Sequence, residues 1–189
     1  AYAWFAAQGS RMGEIQLSAN AVLLNQLMIV AYFLDGVAQA AEQLSGKALG
    51  ANWRPAFDAA YRLSFRSGFV ISLGLGLLWY FGGDALIALM TTNEAVRQAA
   101  HDYLWIAALG SLIFMPAFVY DGILIGLTQN TTMRNGMVAS LVVFVVAASV
   151  LKVPFGNLGL WMALHVWFMA RGGFYWWSLE RRRGMLFAS

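Results

Sequence analysis

Five stretches of this chain run without a single charged side chain: Ile15 to Leu34, Ser67 to Gly83, Tyr103 to Tyr120, Asn135 to Leu151 and Val153 to Ala170. Each is 17 to 20 residues long and mainly apolar. A helix needs roughly 20 such residues to cross the ~30 Å hydrocarbon core of a bilayer. Backbone polar groups in lipid must be satisfied within the segment, and the stretches do not alternate with period two, so they predict helices and not barrel strands. The expected fold is all-α, a polytopic membrane helical bundle with five complete spans.

The flanks predict how the spans are joined. Ala1 to Gln8 is apolar and aromatic but too short to cross, and the turn-like Gly9-Ser10-Arg11-Met12-Gly13 follows it. It reads as the end of a sixth helix. A signal peptide would need a cationic start and a longer apolar region. With no initiating Met, the chain is expected to be the C-terminal piece of a longer protein: the end of a truncated helix over 1–9, a transmembrane bundle over 10–180 and a tail over 181–189. Gly46 to Pro55 holds three glycine or asparagine breakers and a proline, so the first long helix should end there and the next begin near Pro55. Pro154, Gly156 and Asn157 predict a short turn between the last two spans. The more polar stretch Gly82 to Gln98 predicts a short interfacial helix before a third long helix from about Asp102 to Gln129.

Composition narrows the class. Of the 189 residues 60% are hydrophobic and 11% charged, against about 25% charged in soluble chains. A soluble enzyme, a disordered tail and a nucleic-acid-binding module are excluded, and the lipid bilayer becomes a partner. The absence of cysteine removes disulfides and thiol chemistry. The twelve cations are divided unevenly between the ends of the spans: Lys47, Arg54, Arg62, Arg66, Arg134, Arg171, Arg181, Arg182 and Arg183 on one side against Arg11, Arg97 and Lys152 on the other. The positive-inside rule places the richer side, and with it the C-terminus, in the cytoplasm.

Three carboxylates stand at membrane depth, where an ionisable side chain costs about 2.5–3.5 kcal/mol on insertion scales. Asp35 and Glu42 are seven residues apart, which at about 100° per residue puts them on one helix face. Asp121 is flanked by Phe118, Val119, Ile123 and Leu124. As structural groups they would anchor helices or sit at the water boundary, Glu42 pairing with Lys47. As functional groups they would line a polar cavity and bind a proton, a cation or a cationic solute. Pro116 breaks one backbone bond of the third long helix, a candidate hinge. Gly122 and Gly126 form a small-xxx-small face for close helix packing. Asp35-Gly36 and Asp121-Gly122 echo each other within Tyr32 to Gly36 and Phe118 to Gly122, the glycine in each leaving room for another backbone.

Other chemistry finds no support. Gly46-Lys47-Ala48-Leu49-Gly50 lacks the spacing and the Ser or Thr of a phosphate loop. His101 and His165 have no ligand-spaced companions, so no metal site and no cofactor is expected, and no protease or hydrolase motif occurs. The tryptophans and tyrosines, Trp176 and Trp177 among them, read as interfacial anchors.

The segments AYFLDGVAQAAEQLSGKALGAN (Ala31 to Asn52), FVYDGILIGLTQNTTMRNGM (Phe118 to Met137) and GNLGLWMALHVWFMARG (Gly156 to Gly172) resemble the multidrug and toxic compound extrusion family, in its DinF-like branch. The resemblance covers nearly the whole chain, and Asp35, Glu42 and Asp121 match acidic positions of the branch. It implies one lobe of a twelve-helix carrier whose two six-helix bundles rock around a central cavity. Such a carrier exports cationic or amphipathic compounds in exchange for protons or sodium, in the inner membrane of a bacterium, and is not an enzyme. The resemblance implies a further, N-terminal lobe outside this sequence, which holds the branch's principal proton-binding aspartate. Asp121 aligns with a position tied to cation binding in other branches. Two other readings stand beside this one: a flippase for lipid-linked precursors, whose cavity would be more cationic, and a non-transporting membrane fragment or assembly subunit.

Overall fold

The computed structural model describes residues 2–184, 186 and 187. Ala1 at the start, and Met185, Ala188 and Ser189 of the expected tail, lie outside the described residues. The element order is α1 (Tyr2–Gly9), a single 3-10 turn (Ser10–Met12), α2 (Glu14–Gly50), α3 (Arg54–Met90), α4 (Glu94–Gly126) and α5 (Asn130–Arg183). The fold is an all-α membrane bundle. Among the described residues α2, α3, α4 and α5 are long and apolar enough to cross a membrane.

Each boundary has a local cause. Gly13 between the 3-10 turn and α2 has φ 105°, a left-handed value that suits glycine. After α2, Asn52 with φ 47° reverses the chain, and a proline in the first turn starts α3. Asn93 caps α4 by accepting a hydrogen bond from the Val96 amide at 3.3 Å. The interfacial helix expected over Gly82 to Gln98 does not form. Instead α3 runs on to Met90, three residues follow, and α4 begins at Glu94, because the asparagine cap starts a helix at that point while nothing earlier stops α3.

The 54 residues of α5 form two arms rather than one rod. Gly156 breaks the helical backbone with φ 55° and ψ −126°. Gly159 then backs onto the Leu151 backbone so closely that a Cβ would overlap it. Farther along, Trp167 Nε1 donates to Ser140 Oγ at 3.2 Å, and Gly136 meets the Tyr175 ring. The arms 130–155 and 157–183 therefore pack antiparallel, and the five expected spans are present.

Close backbone approach at several glycines joins the helices, alongside large buried side chains such as Trp161, Tyr175 and Phe168. The buried stripe of α3 is Phe57, Ala60, Ser64, Gly68, Ser72, Gly76, Trp79, Gly83 and Ile87, at steps of about one turn. Its small residues let α3 lie on α4, as is usual where lipid supplies no hydrophobic drive for association. α4 is the most enclosed of the long helices. Outward faces are apolar, with Phe81, Leu89 and Val153 at least 80% exposed. In lipid that is the ordinary surface.

Candidate functional site

The site begins with the close approach of α2 and α4. Gly122 packs against the backbone of Ala38, and Gly126 against Glu42 and Ser45, so closely that a side chain at either glycine would overlap α2. Ser45 Oγ, which donates to the Ala41 carbonyl at 2.6 Å, sits in this seam. On α2 the residues Leu34, Val37 and Ala41 are buried while Asp35 and Gln39 are exposed and Glu42 is half-buried. That division follows from helical periodicity. It turns the acidic face of α2 toward a cleft of about 280 Å³ whose lining includes Asp35, Gln39, Glu42, Phe118, Asp121 and Met137.

All three carboxylates singled out in the sequence thus share one cleft, although 79 residues separate Glu42 from Asp121. They are not equivalent. Asp121 is the most enclosed and forms an ion pair with Arg171 from the second arm of α5. The side chains of Arg171 and Asp121 are 12% and 15% exposed. Arg171 Nε donates to the Tyr175 hydroxyl at 3.3 Å, and that hydroxyl donates to the Met133 carbonyl at 3.2 Å. The guanidinium also lies 5.8 Å from the centre of the Tyr175 ring. Asp121 Oδ1 is buried without a hydrogen-bond partner among the described residues.

Arg171 corrects the sequence reading, which counted it with the cations at the ends of the spans. It stands between apolar Phe168-Met169-Ala170 and Gly172-Gly173-Phe174, ten residues ahead of the terminal arginines. That spacing corresponds to about 15 Å of helix, a depth at which a cation needs a partner. This was the signal available. Tyr175, one turn beyond Arg171, was read only as one of the interfacial aromatics.

The remaining candidates divide. No ion pair joins Glu42 to Lys47 among the described residues. α4 continues through Pro116 without interruption, and a Cβ added at Gly172, beside Arg171, would come within 3.6 Å of Pro116 and Ala117. The proline marks where the second arm of α5 leans on α4. Gly36 has open space around it. Of the two Asp-Gly pairs, only Asp121-Gly122 meets another backbone, which removes the common packing role expected for the two glycines.

Two further polar groupings lie away from the cleft. At the turn between α3 and α4, His101 Nδ1 and Asp84 Oδ1 are 2.7 Å apart, both well exposed. The bond to Asp84 pushes the His101 imidazole above its usual range. At the opposite end Arg183 bonds Asp58 at 2.7 Å and Glu180 at 2.9 Å. Close by, the hydroxyls of Tyr61 and Tyr120 share a hydrogen bond of 2.8 Å. His165 is buried, with Nδ1 2.7 Å from the Trp161 carbonyl, and among the described residues no group of His, Asp and Glu is placed to hold a metal ion.

Comparison with known proteins agrees with this architecture. The family model MatE matches residues 5–156. The DNA damage-inducible protein F of Escherichia coli (strain K12) is 34% identical over 165 residues, which are 87% of this chain and 36% of that protein. The chain therefore spans little more than a third of that relative's length. An apolar five-span bundle, the acidic cleft against α4 and a match over four-fifths of the chain converge on one assignment: the chain belongs to the MatE family of membrane transporters, in its DinF-like branch.

Proposed function

We propose that this chain is the C-terminal lobe of a cation-coupled antiporter that exports amphipathic or cationic compounds by alternating access, driven by protons or sodium. The observation that carries the reading is the gathering of Asp35, Glu42 and Asp121 in one cleft between α2, α4 and α5. Three carboxylates against one guanidinium leave that cleft with excess negative charge, which suits a cation. Asp35 and Gln39 lie exposed on a membrane helix. Lipid is a poor neighbour for them, so this face of α2 belongs on a water-filled cavity shared with a second lobe. Phe118, Met133 and Met137 supply the apolar side of the same cleft, in keeping with an amphipathic solute.

A coupling ion must bind one orientation of the lobes better than the other, since equal affinity shifts nothing. Asp121 is the residue placed to provide that difference, with Asp35 and Glu42 contributing. The cytoplasmic location of the end bearing Lys47 and Arg183 in a bacterial inner membrane belongs to the same proposal. The test is efflux by the full-length parental protein in proteoliposomes under an imposed proton or sodium gradient. Asp121→Asn is expected to abolish gradient-driven efflux at unchanged expression. Undiminished coupled efflux in that variant would remove Asp121 from the mechanism. A flippase of lipid-linked precursors is disfavoured by the acidity of the cleft lining, and the arginine that reaches Asp121 is already committed to it.

A further inference from the structure

We propose that Arg171 is a tethered counter-cation. In the unloaded protein it holds the Asp121 carboxylate, and a cation entering the cleft takes Asp121 by displacing the guanidinium rather than by filling an unclaimed site. The inference rests on the reading of Asp121 as the coupling residue and assigns the residue that competes for it.

Four observations carry it. The pair is lopsided: Oδ2 holds Arg171 while Oδ1 is buried with no hydrogen-bond partner among the described residues. A buried pair kept only for structure needs its remaining lone pairs satisfied to offset desolvation, whereas this one leaves an acceptor of the cleft-lining Asp121 unfilled. Second, Arg171 has another anchor. Its Nε donates to the Tyr175 hydroxyl, itself fixed to the Met133 carbonyl, so the guanidinium can leave Oδ2 and stay in place beside it.

Third, among the described residues no basic side chain lines the cleft, while Asp35 and Glu42 face it from α2 and Met133 and Met137 from the first arm of α5. The acids offset the charge added when a second cation joins Arg171. Fourth, the pair spans two elements that touch at a proline. Gly172 lies against Pro116 and Ala117, so Asp121–Arg171 fastens the second arm of α5 to α4 just beyond Pro116. Exchange of the guanidinium for a mobile cation releases that fastening. Occupancy of Asp121 and the arrangement of the two helices are thereby linked, as a coupling site requires.

The experiment measures efflux by the full-length parental protein in proteoliposomes against sodium chloride at fixed pH, and against pH without sodium. Removing the competitor in Arg171→Met is expected to lower the half-saturating cation concentration by about tenfold or more, with slower turnover at saturation because the cation is no longer expelled. Arg171→Lys keeps a competing charge and is expected to stay within about threefold of the parent. A half-saturating concentration that is unchanged or raised in Arg171→Met overturns the proposal.

Asp121→Asn separates the two ideas. If that variant keeps cation-dependent efflux, the coupling role of Asp121 fails and this proposal with it. If it loses that dependence while Arg171→Met responds like the parent, only the counter-cation role fails. A measurement on the parent protein does not depend on the variants folding. In infrared difference spectra with guanidino-labelled arginine, adding the coupling cation is expected to shift an arginine band together with a carboxylate band. An arginine band that stays in place on saturation overturns the proposal.

Discussion

Two of the polar clusters between the helices of this bundle are built on opposite terms. Near the bend of α5, Asn20 and Asn157 exchange two amide hydrogen bonds of 2.7 and 2.9 Å, and Trp161 Nε1 adds a third to Asn20 Oδ1 at 3.0 Å. All three residues are at most 5% exposed, all are neutral, and none of their side-chain atoms is left unpaired. At the cleft the partners are charged, one carboxylate oxygen is orphaned, and Asp35 stands open. A saturated neutral cluster has nothing to offer a solute and serves to set the packing of α2 against the second arm of α5. A charged, half-satisfied cluster at the edge of a cavity has an unmet demand, which a ligand can answer.

The comparison can be broken in several places. Both clusters presuppose that α2 lies against its neighbours, so the largest effect is expected from Gly122→Leu. Its side chain would occupy the space of the Ala38 backbone, and the folded bundle is expected to be lost, read as aggregation in size-exclusion chromatography of the detergent-solubilised protein. Gly36→Leu, in open surroundings, is the matched control and should elute as the parent does.

Next in size is Asp121→Ala, which strands Arg171 with most of its side chain buried. A loss of about 3–5 kcal/mol is expected from leaving one member of such a pair unpaired, measured by equilibrium unfolding in mixed micelles. Asp121→Leu combined with Arg171→Met should recover most of that stability and none of the coupled efflux. Recovery of both would make the cleft a structural cluster like the asparagine one.

Asn20→Ala leaves Asn157 and Trp161 short of partners. It is expected to cost about 1–2 kcal/mol, the upper part of the range for hydrogen bonds between membrane helices, while leaving the cation dependence of efflux unchanged. A shifted cation dependence there would erase the distinction between the clusters.

The smallest effect concerns the exposed pair outside both. Asp84 raises the affinity of folded His101 for its proton. The pair therefore stabilises the fold fully below the unfolded imidazole value, about 6.5, and this contribution is lost as pH rises through the raised folded value. At such exposure it amounts to under about 1 kcal/mol. Thermal unfolding from pH 5 to pH 9 is expected to show a shallow decline that Asp84→Asn flattens.

Much of the fold was legible because a bilayer imposes a blunt requirement on sequence. Uncharged runs of helix-spanning length, the break at Gly46 to Pro55 and the bend at Pro154 to Asn157 each express a local rule, and all appear in the structure. The stretch Gly82 to Gln98 was misread because its polar residues suggested a separate interfacial helix, whereas Asn93 is the cap of α4 itself.

The sequence by itself determined that the chain forms apolar helices of membrane-spanning length, most of the places where it turns and which face of α2 carries acid, because each depends on neighbours within a few turns. Only the tertiary structure decided that Asp35, Glu42 and Asp121 meet in one cleft. It alone separated Gly122, pressed on α2, from Gly36, which is free. It also moved Arg171 from a presumed marker of topology to the partner of Asp121. The physical reason is the length of the loops those contacts close: Arg171 and Asp121 are 50 residues apart. Helical periodicity sets the direction of each side chain about its own axis and is silent about which helix stands opposite.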